Sequence, residues 1–173
     1  MLIEADGSHQ GTISGGCLEG EVAIRAVETL QDGQPRLIPF NLADDDLVLG
    51  FGAGCNGVVH VLIQPVLPGA TPSILDALRH AVDHRRLAVV ATVLDASSAG
   101  LIGRHYVLDE AGDSPHSSPE LANDADALWA ACSALLDEEQ ANRQPYLWQT
   151  QAIRLGTAPA VVLLEVVRPS IHV

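Results

Sequence analysis

Apolar and polar residues follow two distinct periods along this chain. From residue 18 to residue 30, Leu18, Val22, Ala26 and Leu30 recur every four positions. That spacing is typical of an amphipathic helix, which we predict over residues 17–30. Runs rich in valine, isoleucine and leucine, such as residues 57–66, are too short for a helix and predict strands. The chain therefore combines both kinds of element.

The order of these elements predicts the fold class. Residues 1–5 and 11–14 favour a hairpin, because Asp6-Gly7 between them is a turn signal. After it, a helix followed by two strands recurs three times. Consecutive strands predict antiparallel or mixed pairing, hence an α+β fold and not a Rossmann fold. The predicted helices are residues 17–30, 72–86 and 120–138, and the predicted strands are residues 36–41, 57–66, 87–95, 101–108, 145–155 and 159–168.

Charge and length narrow the possible functions. The 173 residues include 22 acidic and 9 basic side chains, giving a net charge of −13, and all the basic ones are arginine. Such a chain would repel nucleic acid and anionic membranes, and it has no lysine for Schiff-base chemistry. No apolar run has transmembrane length, and the N-terminus lacks signal-peptide features. The three cysteines are odd in number and far apart, so we expect thiols in a cytoplasmic protein.

The first candidate for chemistry is the glycine turn before the first predicted helix. Gly15 and Gly16 allow an unusual backbone and leave amides exposed at the helix start, where an anion can bind. Cys17 lies in the same positive field, which favours its thiolate. Glu19 and Glu21 oppose this effect by adding negative charge. The alternative is a tight turn in which Cys17 is only a small buried side chain.

A second glycine cluster surrounds Cys55. Gly52, Gly54 and Gly57 have the spacing of a dinucleotide-binding motif. That motif must open a helix, whereas here a β-branched strand follows, so we predict no NAD site. What remains is a glycine loop that presents Cys55. Together with Cys17 it could bind a soft metal, hold a sulfur-rich cofactor or exchange thiols. Cys132, among alanine, leucine and tryptophan, is predicted to lie in the core.

Two polar groups are weaker candidates. Asp76, His80 and His84 share one face of the second predicted helix, so a metal site is geometrically possible. Because Leu75, Leu78, Ala81 and Val82 are predicted to form the buried stripe, we favour a solvated polar face for the histidines. The acidic residues 44–46 suit an exposed loop, with magnesium binding as the alternative.

The glycine–cysteine turns resemble the xanthine dehydrogenase accessory proteins of the XdhC/CoxI type. The resemblance rests on residues 11–19, on the helix that ends at residues 32–36, on the acidic loop, and on residues 50–57 with the strand that follows. It is best over residues 1–68, the cysteine-motif part, and weaker over residues 69–173. It implies one family domain over residues 1–173, without the C-terminal Rossmann domain that most members carry.

This resemblance implies a chaperone for the molybdenum cofactor (molybdopterin), not an enzyme. Implied partners are a molybdenum hydroxylase apoenzyme and a cysteine desulfurase, and exposed strand edges add the expectation of a homodimer. Asn56 departs from the family, which has glycine there. The implied cofactor-binding residues are Ser14, Gly15, Gly16, Cys17, Gly54 and Cys55, with Cys17 and Cys55 contacting the metal. Two alternatives stay open: a thiol-dependent sulfur carrier or redox protein, and a regulatory partner protein without cofactor binding.

Overall fold

The computed structural model describes residues 1–42, 57–67, 73–112, 116–142 and 148–169. The chain divides into two compact units, Met1–Ala70 and Thr71–Val173. Helices and antiparallel strands alternate in both units, so the predicted α+β class is confirmed. The helices are α1 (Glu19–Asp32), α2 (Ser73–Asp83) and α3 (Ala125–Asn142), and the strands are β1 (Leu2–Ile3), β2 (His9–Gln10), β3 (Arg36–Asn41), β4 (Val58–Ile63), β5 (Ala88–Ala96), β6 (His105–Asp109), β7 (His116–Ser117), β8 (Trp148–Leu155) and β9 (Ala158–Val167).

The first unit packs α1 against a two-stranded sheet. Strands β3 and β4 are antiparallel, with Phe40 opposite Val59. The predicted apolar stripe of α1 is confirmed, because Val22 and Ala26 are buried with Phe40 and Ile63. Helix α1 ends at Gly33, whose positive φ of 66° is costly for other residues and whose amide donates to the Thr29 carbonyl. Leu18, directly before α1, is buried in the same core.

The N-terminal hairpin is shorter than predicted. Its second strand is His9–Gln10, paired with Leu2–Ile3, so the prediction of a strand over residues 11–14 was wrong. The amides of Ile13 and Ser14 donate to the side chain of Glu19 instead of to a neighbouring strand. A strand needs those donors for its own ladder, and here a side chain takes them.

The second unit is a five-stranded antiparallel sheet with the strand order β7-β6-β5-β9-β8. Val89, Ala91 and Val93 of the central strand β5 pack in the same cluster as buried residues of α3, while Ala88 and Val90 pack with Ala81 of α2. Strand β5 is therefore covered on both faces. This explains why its sequence is a continuous apolar run without alternation.

The buried face of α2 differs from the prediction. Leu75 and Val82 are 54% and 44% exposed, whereas Ala81 is buried. Ile74, Ala77 and Leu78 pack around the Ala81 cluster. Leu78 and Ala81 were predicted correctly, but the stripe is rotated about one residue from the one that the sequence suggested. The small residues Ala77 and Ala81 lie on the packed side because they allow close approach to the sheet.

The predicted core position of Cys132 is confirmed. Its side chain is fully buried in α3, and burial raises the pKa of its thiol to about 12. A thiol in such surroundings stays protonated and unreactive at neutral pH.

No helix in the described ranges has both the length and the apolar character needed to cross a membrane. The expectation of one family domain over residues 1–173 stays a prediction.

Candidate functional site

The loop that leads into α1 is exposed to solvent, and its backbone turns at two glycines. Residues 11–17 are all exposed, and only Leu18 at their end is buried. Gly15 and Gly16 have φ values of 75° and 119°, a region that side chains with a Cβ rarely adopt. The two glycines thus allow the chain to turn sharply just before Cys17.

The carboxylate of Glu19 lies at the centre of this loop. Its Oε1 accepts hydrogen bonds from the amides of Ile13 and Ser14, at 2.9 and 2.8 Å. Its Oε2 accepts from the Ser14 hydroxyl at 2.7 Å, from the Gly16 amide at 2.9 Å and from the Leu18 amide at 3.2 Å. The Ser14 hydroxyl in turn accepts from the Leu18 amide. A single side chain therefore accepts hydrogen bonds from five donors of the loop before α1.

Glu19 is buried and negatively charged. It is 5% exposed, and no ion pair reaches it among the residues that the structure describes. Its charge is balanced instead by the hydrogen bonds of the loop and by the start of the helix. The hydroxyl of Ser14, followed by the amides of Ser14 and Ile13, holds the pKa of Glu19 far below its ordinary value of 4.5.

This lowered pKa predicts that the loop withstands mild acid. A carboxylate whose pKa is lower in the folded state stabilises folding above its unfolded pKa, and that contribution declines only as the pH falls below 4.5 toward the folded pKa. We therefore expect the amide NMR signals of Ile13, Ser14 and Gly16 to keep their positions between about pH 6 and pH 4.

The control is Glu19→Gln, which removes the titrating group and should move these signals at every pH. A shift of the wild-type signals with a midpoint near the ordinary glutamate value of 4.5 would contradict the lowered pKa.

Cys17 lies in this loop, shortly before the first residue of α1. It lies between Gly16 and Leu18 and is exposed and free of disulfide bonds. An exposed thiol on an ordered turn can contact a soft metal or react with an electrophile. The exposure of Cys17 contradicts the alternative left open from the sequence, in which Cys17 is only a small buried side chain.

The other half of the predicted site lies outside the described residues. Gly54, Cys55, Asn56 and the acidic residues 44–46 belong to this part. The joint site of Cys17 and Cys55 therefore stays a prediction. Within the described ranges, no cluster of three or more histidine, cysteine or acidic side chains has the geometry of a metal site.

The histidine face of α2 is solvated, as we favoured from the sequence. Asp76, His80 and His84 are exposed. The rings of His80 and His84 lie with centroids 4.1 Å apart, and His84 Nδ1 is 2.8 Å from the His80 carbonyl oxygen. The described residues hold no group of three or more histidine, cysteine or acidic side chains with metal-site geometry, which agrees with a solvated histidine face.

Sequence reasoning missed the role of Glu19, which it treated only as a charge opposed to the thiolate. One signal was available. Glu19 follows Gly16 by three residues, the spacing at which a glutamate near a helix start reaches back to a backbone amide. The bonds to Ile13 and Ser14, which lie six and five residues before Glu19, follow no such spacing rule.

The glycine turn, Cys17 and α1 all fall within a stretch that matches a known family. Residues 1–41 match the model of the XdhC and CoxI family. Over these residues the chain is similar to the XdhC and CoxI family. Cys17 and the loop centred on Glu19 lie within this matched stretch.

Three curated relatives are similar to part of the chain. A Bacillus subtilis (strain 168) protein, named as a probable xanthine dehydrogenase subunit, is 42% identical over 62 residues, which are 35% of this chain and 19% of that protein. The Escherichia coli (strain K12) protein named Molybdenum cofactor insertion chaperone PaoD is 35% identical over 71 residues, 39% of this chain and 22% of its own length. Uncharacterized protein YqeB, also from Escherichia coli (strain K12), is 40% identical over 66 residues, 37% of this chain and 12% of YqeB. The matched stretch therefore spans about a fifth or less of each relative.

Proposed function

We propose that this chain binds the molybdenum cofactor through Cys17 and acts as a maturation chaperone for a xanthine dehydrogenase-type molybdenum hydroxylase. The observation that carries the proposal is the exposed thiol of Cys17 on an ordered glycine turn, within the part of the chain that matches the XdhC and CoxI family. The name of the relative PaoD, a cofactor insertion chaperone, supports the same role.

The donor chemistry supports Cys17 as the contact to the metal. When bound, the cofactor supplies a molybdenum atom with sulfur ligands, a soft centre that thiolates suit. The chain carries a net charge of −13 and has no lysine, so long-range attraction does not help an anionic cofactor to bind. Binding must therefore come from local contacts, and the Cys17 thiol is an exposed one.

The hydrogen-bond donors next to Cys17 already bond to another side chain. Ser14 and Gly16, which we predicted to hold the cofactor together with Gly15, donate to the Glu19 carboxylate. A phosphate group would have to displace that carboxylate before it could use these donors. The roles of Ser14, Gly15 and Gly16 as cofactor ligands stay predictions, and the proposal relies on the thiol.

The proposed role is accessory and not catalytic. A chaperone of this kind holds the cofactor and passes it to the hydroxylase apoenzyme without turning over that enzyme's substrate. A cysteine desulfurase as second partner, a homodimer and a cytoplasmic location belong to the same proposal. Binding assays with purified hydroxylase apoenzyme and with purified cysteine desulfurase test these two partners directly.

Cofactor copurification tests the proposal. The chain is expressed in cells that make the cofactor, and the molybdenum-to-protein and pterin-to-protein ratios are measured by elemental analysis and by fluorescence of the oxidised pterin. We expect Cys17→Ser to lower both ratios about tenfold or more, because the hydroxyl is a hard and weakly acidic ligand. Cys132→Ala, which removes a buried thiol, should leave the ratios unchanged.

Two outcomes would count against the proposal. If Cys17→Ser copurifies with cofactor at the wild-type ratio, Cys17 is not the contact. If the wild-type chain carries no pterin but gains the mass of one sulfur atom on Cys17 from a persulfide donor, which gives up its terminal sulfur and leaves as a thiol, the chain is a thiol-dependent sulfur carrier. The exposure of Cys17 supports that second function equally, and the pterin measurement separates the two.

A further inference from the structure

The Glu19 carboxylate holds the residues on both sides of Cys17. Its Oε2 accepts from the amide of Gly16, immediately before the cysteine, at 2.9 Å. The same oxygen accepts from the amide of Leu18, immediately after it, at 3.2 Å. One oxygen atom therefore fixes the backbone on both sides of the thiol-bearing residue.

Among the residues that the structure describes, few other contacts hold this loop. Residues 11–17 are exposed, and their one large apolar side chain, Ile13, is 44% exposed, so apolar burial contributes little to fixing their conformation. The two glycines add flexibility, since glycine loses more conformational entropy on ordering than any other residue. The order of the loop therefore depends on the five hydrogen bonds that its amides and the Ser14 hydroxyl donate to Glu19.

We propose that Glu19 is the positioning residue of Cys17: its buried carboxylate gathers the donors of the loop and gives the exposed thiol a fixed direction. The effect on cofactor binding rests on the function proposed above, whereas the effect on the loop does not. Glu19 itself does not touch the cofactor. It acts through the backbone of Gly16 and Leu18.

The chemistry of the carboxylate makes glutamine a sharp test. An ionised carboxylate only accepts hydrogen bonds, on both oxygens, whereas a primary amide accepts on one side and donates on the other. Both sides of Glu19 face donors: two amides at Oε1, and two amides with a hydroxyl at Oε2. In Glu19→Gln the NH₂ group must face donors whichever way it turns, although the size of the side chain is unchanged.

A nitroxide spin label on Cys17 measures the effect on the loop. In a Cys55→Ser background, the label attaches to Cys17 because Cys132 is buried. We expect the electron paramagnetic resonance line shape to indicate restricted motion, and Glu19→Gln to shift it to fast motion while circular dichroism stays unchanged. Glu21→Gln is the matched control: it is the same change in the first turn of α1, at a carboxylate that pairs with Arg25. Its line shape should match the unsubstituted protein.

Cofactor copurification measures the effect on function. Glu19→Gln should lower the molybdenum-to-protein ratio about tenfold, as loss of a residue that orients a metal ligand does. The thiol of Cys17 should still react with an aromatic disulfide reagent, because it stays exposed. If Glu19 only positions Cys17, the variant should combine an accessible thiol with a lower molybdenum-to-protein ratio. Loss of the thiol itself would not give this combination.

The outcomes separate this inference from the proposed function. If Cys17→Ser lowers the cofactor ratio and Glu19→Gln does not, the positioning role is overturned and the proposed function stands. If Cys17→Ser has no effect, the proposed function fails, and the spin label alone decides whether Glu19 orders the loop. An unchanged line shape in Glu19→Gln overturns the inference in either case. Should Glu19→Gln fold poorly, Ser14→Ala removes two of the loop's hydrogen bonds and should shift the line shape less far in the same direction.

Discussion

Leu128→Ala should lower the free energy of unfolding of the second unit by about 3 kcal/mol, the usual cost of a cavity at a fully buried leucine. Leu128 has no exposed surface and lies in the large cluster of that unit with Leu135, Leu164 and Val162. A rigid sheet on one side leaves the site little freedom to collapse around the missing atoms. Urea unfolding followed by far-UV circular dichroism and by tryptophan fluorescence measures the change. Both tryptophans, Trp129 and Trp148, belong to the second unit.

The control for this prediction is the same deletion at an exposed leucine. Leu75 lies in α2 of the same unit and is 54% exposed. Leu75→Ala should therefore cost less than about 1 kcal/mol, as surface substitutions usually do. Equal losses at Leu75 and Leu128 would contradict the buried stripe of Ile74, Ala77, Leu78 and Ala81 assigned to α2.

Arg168→Met should destabilise the same unit by about 3 kcal/mol, because it strips a buried carboxylate of its cation. Glu139 is 3% exposed, and its Oε1 accepts from Nε and Nη2 of Arg168 at 2.8 and 2.6 Å. Without arginine the charge is left in surroundings that solvate it poorly. The loss is measured by the same urea unfolding experiment.

A double variant separates the cost of an unpaired charge from the net value of the ion pair. Arg168→Met combined with Glu139→Leu removes both charges and should recover most of the lost stability, since buried ion pairs are often replaceable by apolar side chains. Arg104→Met is the surface control, because Arg104 and Glu120 are both well exposed. It should cost at most about 1 kcal/mol. A double variant as unstable as Arg168→Met would show that packing, and not the unpaired charge, causes the loss.

Much of the fold could be predicted from local patterns. The strand over residues 36–41 was predicted with its observed bounds, and the four-residue spacing of Val22 and Ala26 predicted the buried face of α1. These features are local, because the side chains that carry the pattern are also the ones that are buried. Strand β7 was not predicted, since His116–Ser117 is too short to give a pattern.

Two errors had non-local causes. The stripe of α2 was predicted about one residue out of place, because the exposed Leu75 and Val82 widen the apolar face of this helix. Only contact with Ala88, Val90 and Val107 selects the part that is buried. Residues 11–14 were predicted as a strand because their β-prone residues follow a turn signal. The carboxylate of Glu19 takes the amides that a strand would need.

In the candidate site, too, some features follow from local sequence and others from contacts made only in the folded chain. The turn before α1 and the cysteine on it were predictable, because positive φ requires glycine and the glycines stand next to Cys17 in the sequence. The burial of Glu19 was not predictable from its residue type, since glutamate in the first turn of a helix is usually solvated. It is buried because the loop folds back over it and supplies five hydrogen bonds.

By itself, the sequence determined the α+β class, the order of the three helices and the longer strands, and the glycine turn that carries Cys17. Each of these follows from residues that are neighbours along the chain. Only the tertiary structure decided which face of α2 is buried and which side chain orders the loop. Those outcomes depend on groups brought together by folding: the sheet beneath α2, and the converging amides that keep the buried carboxylate of Glu19 charged.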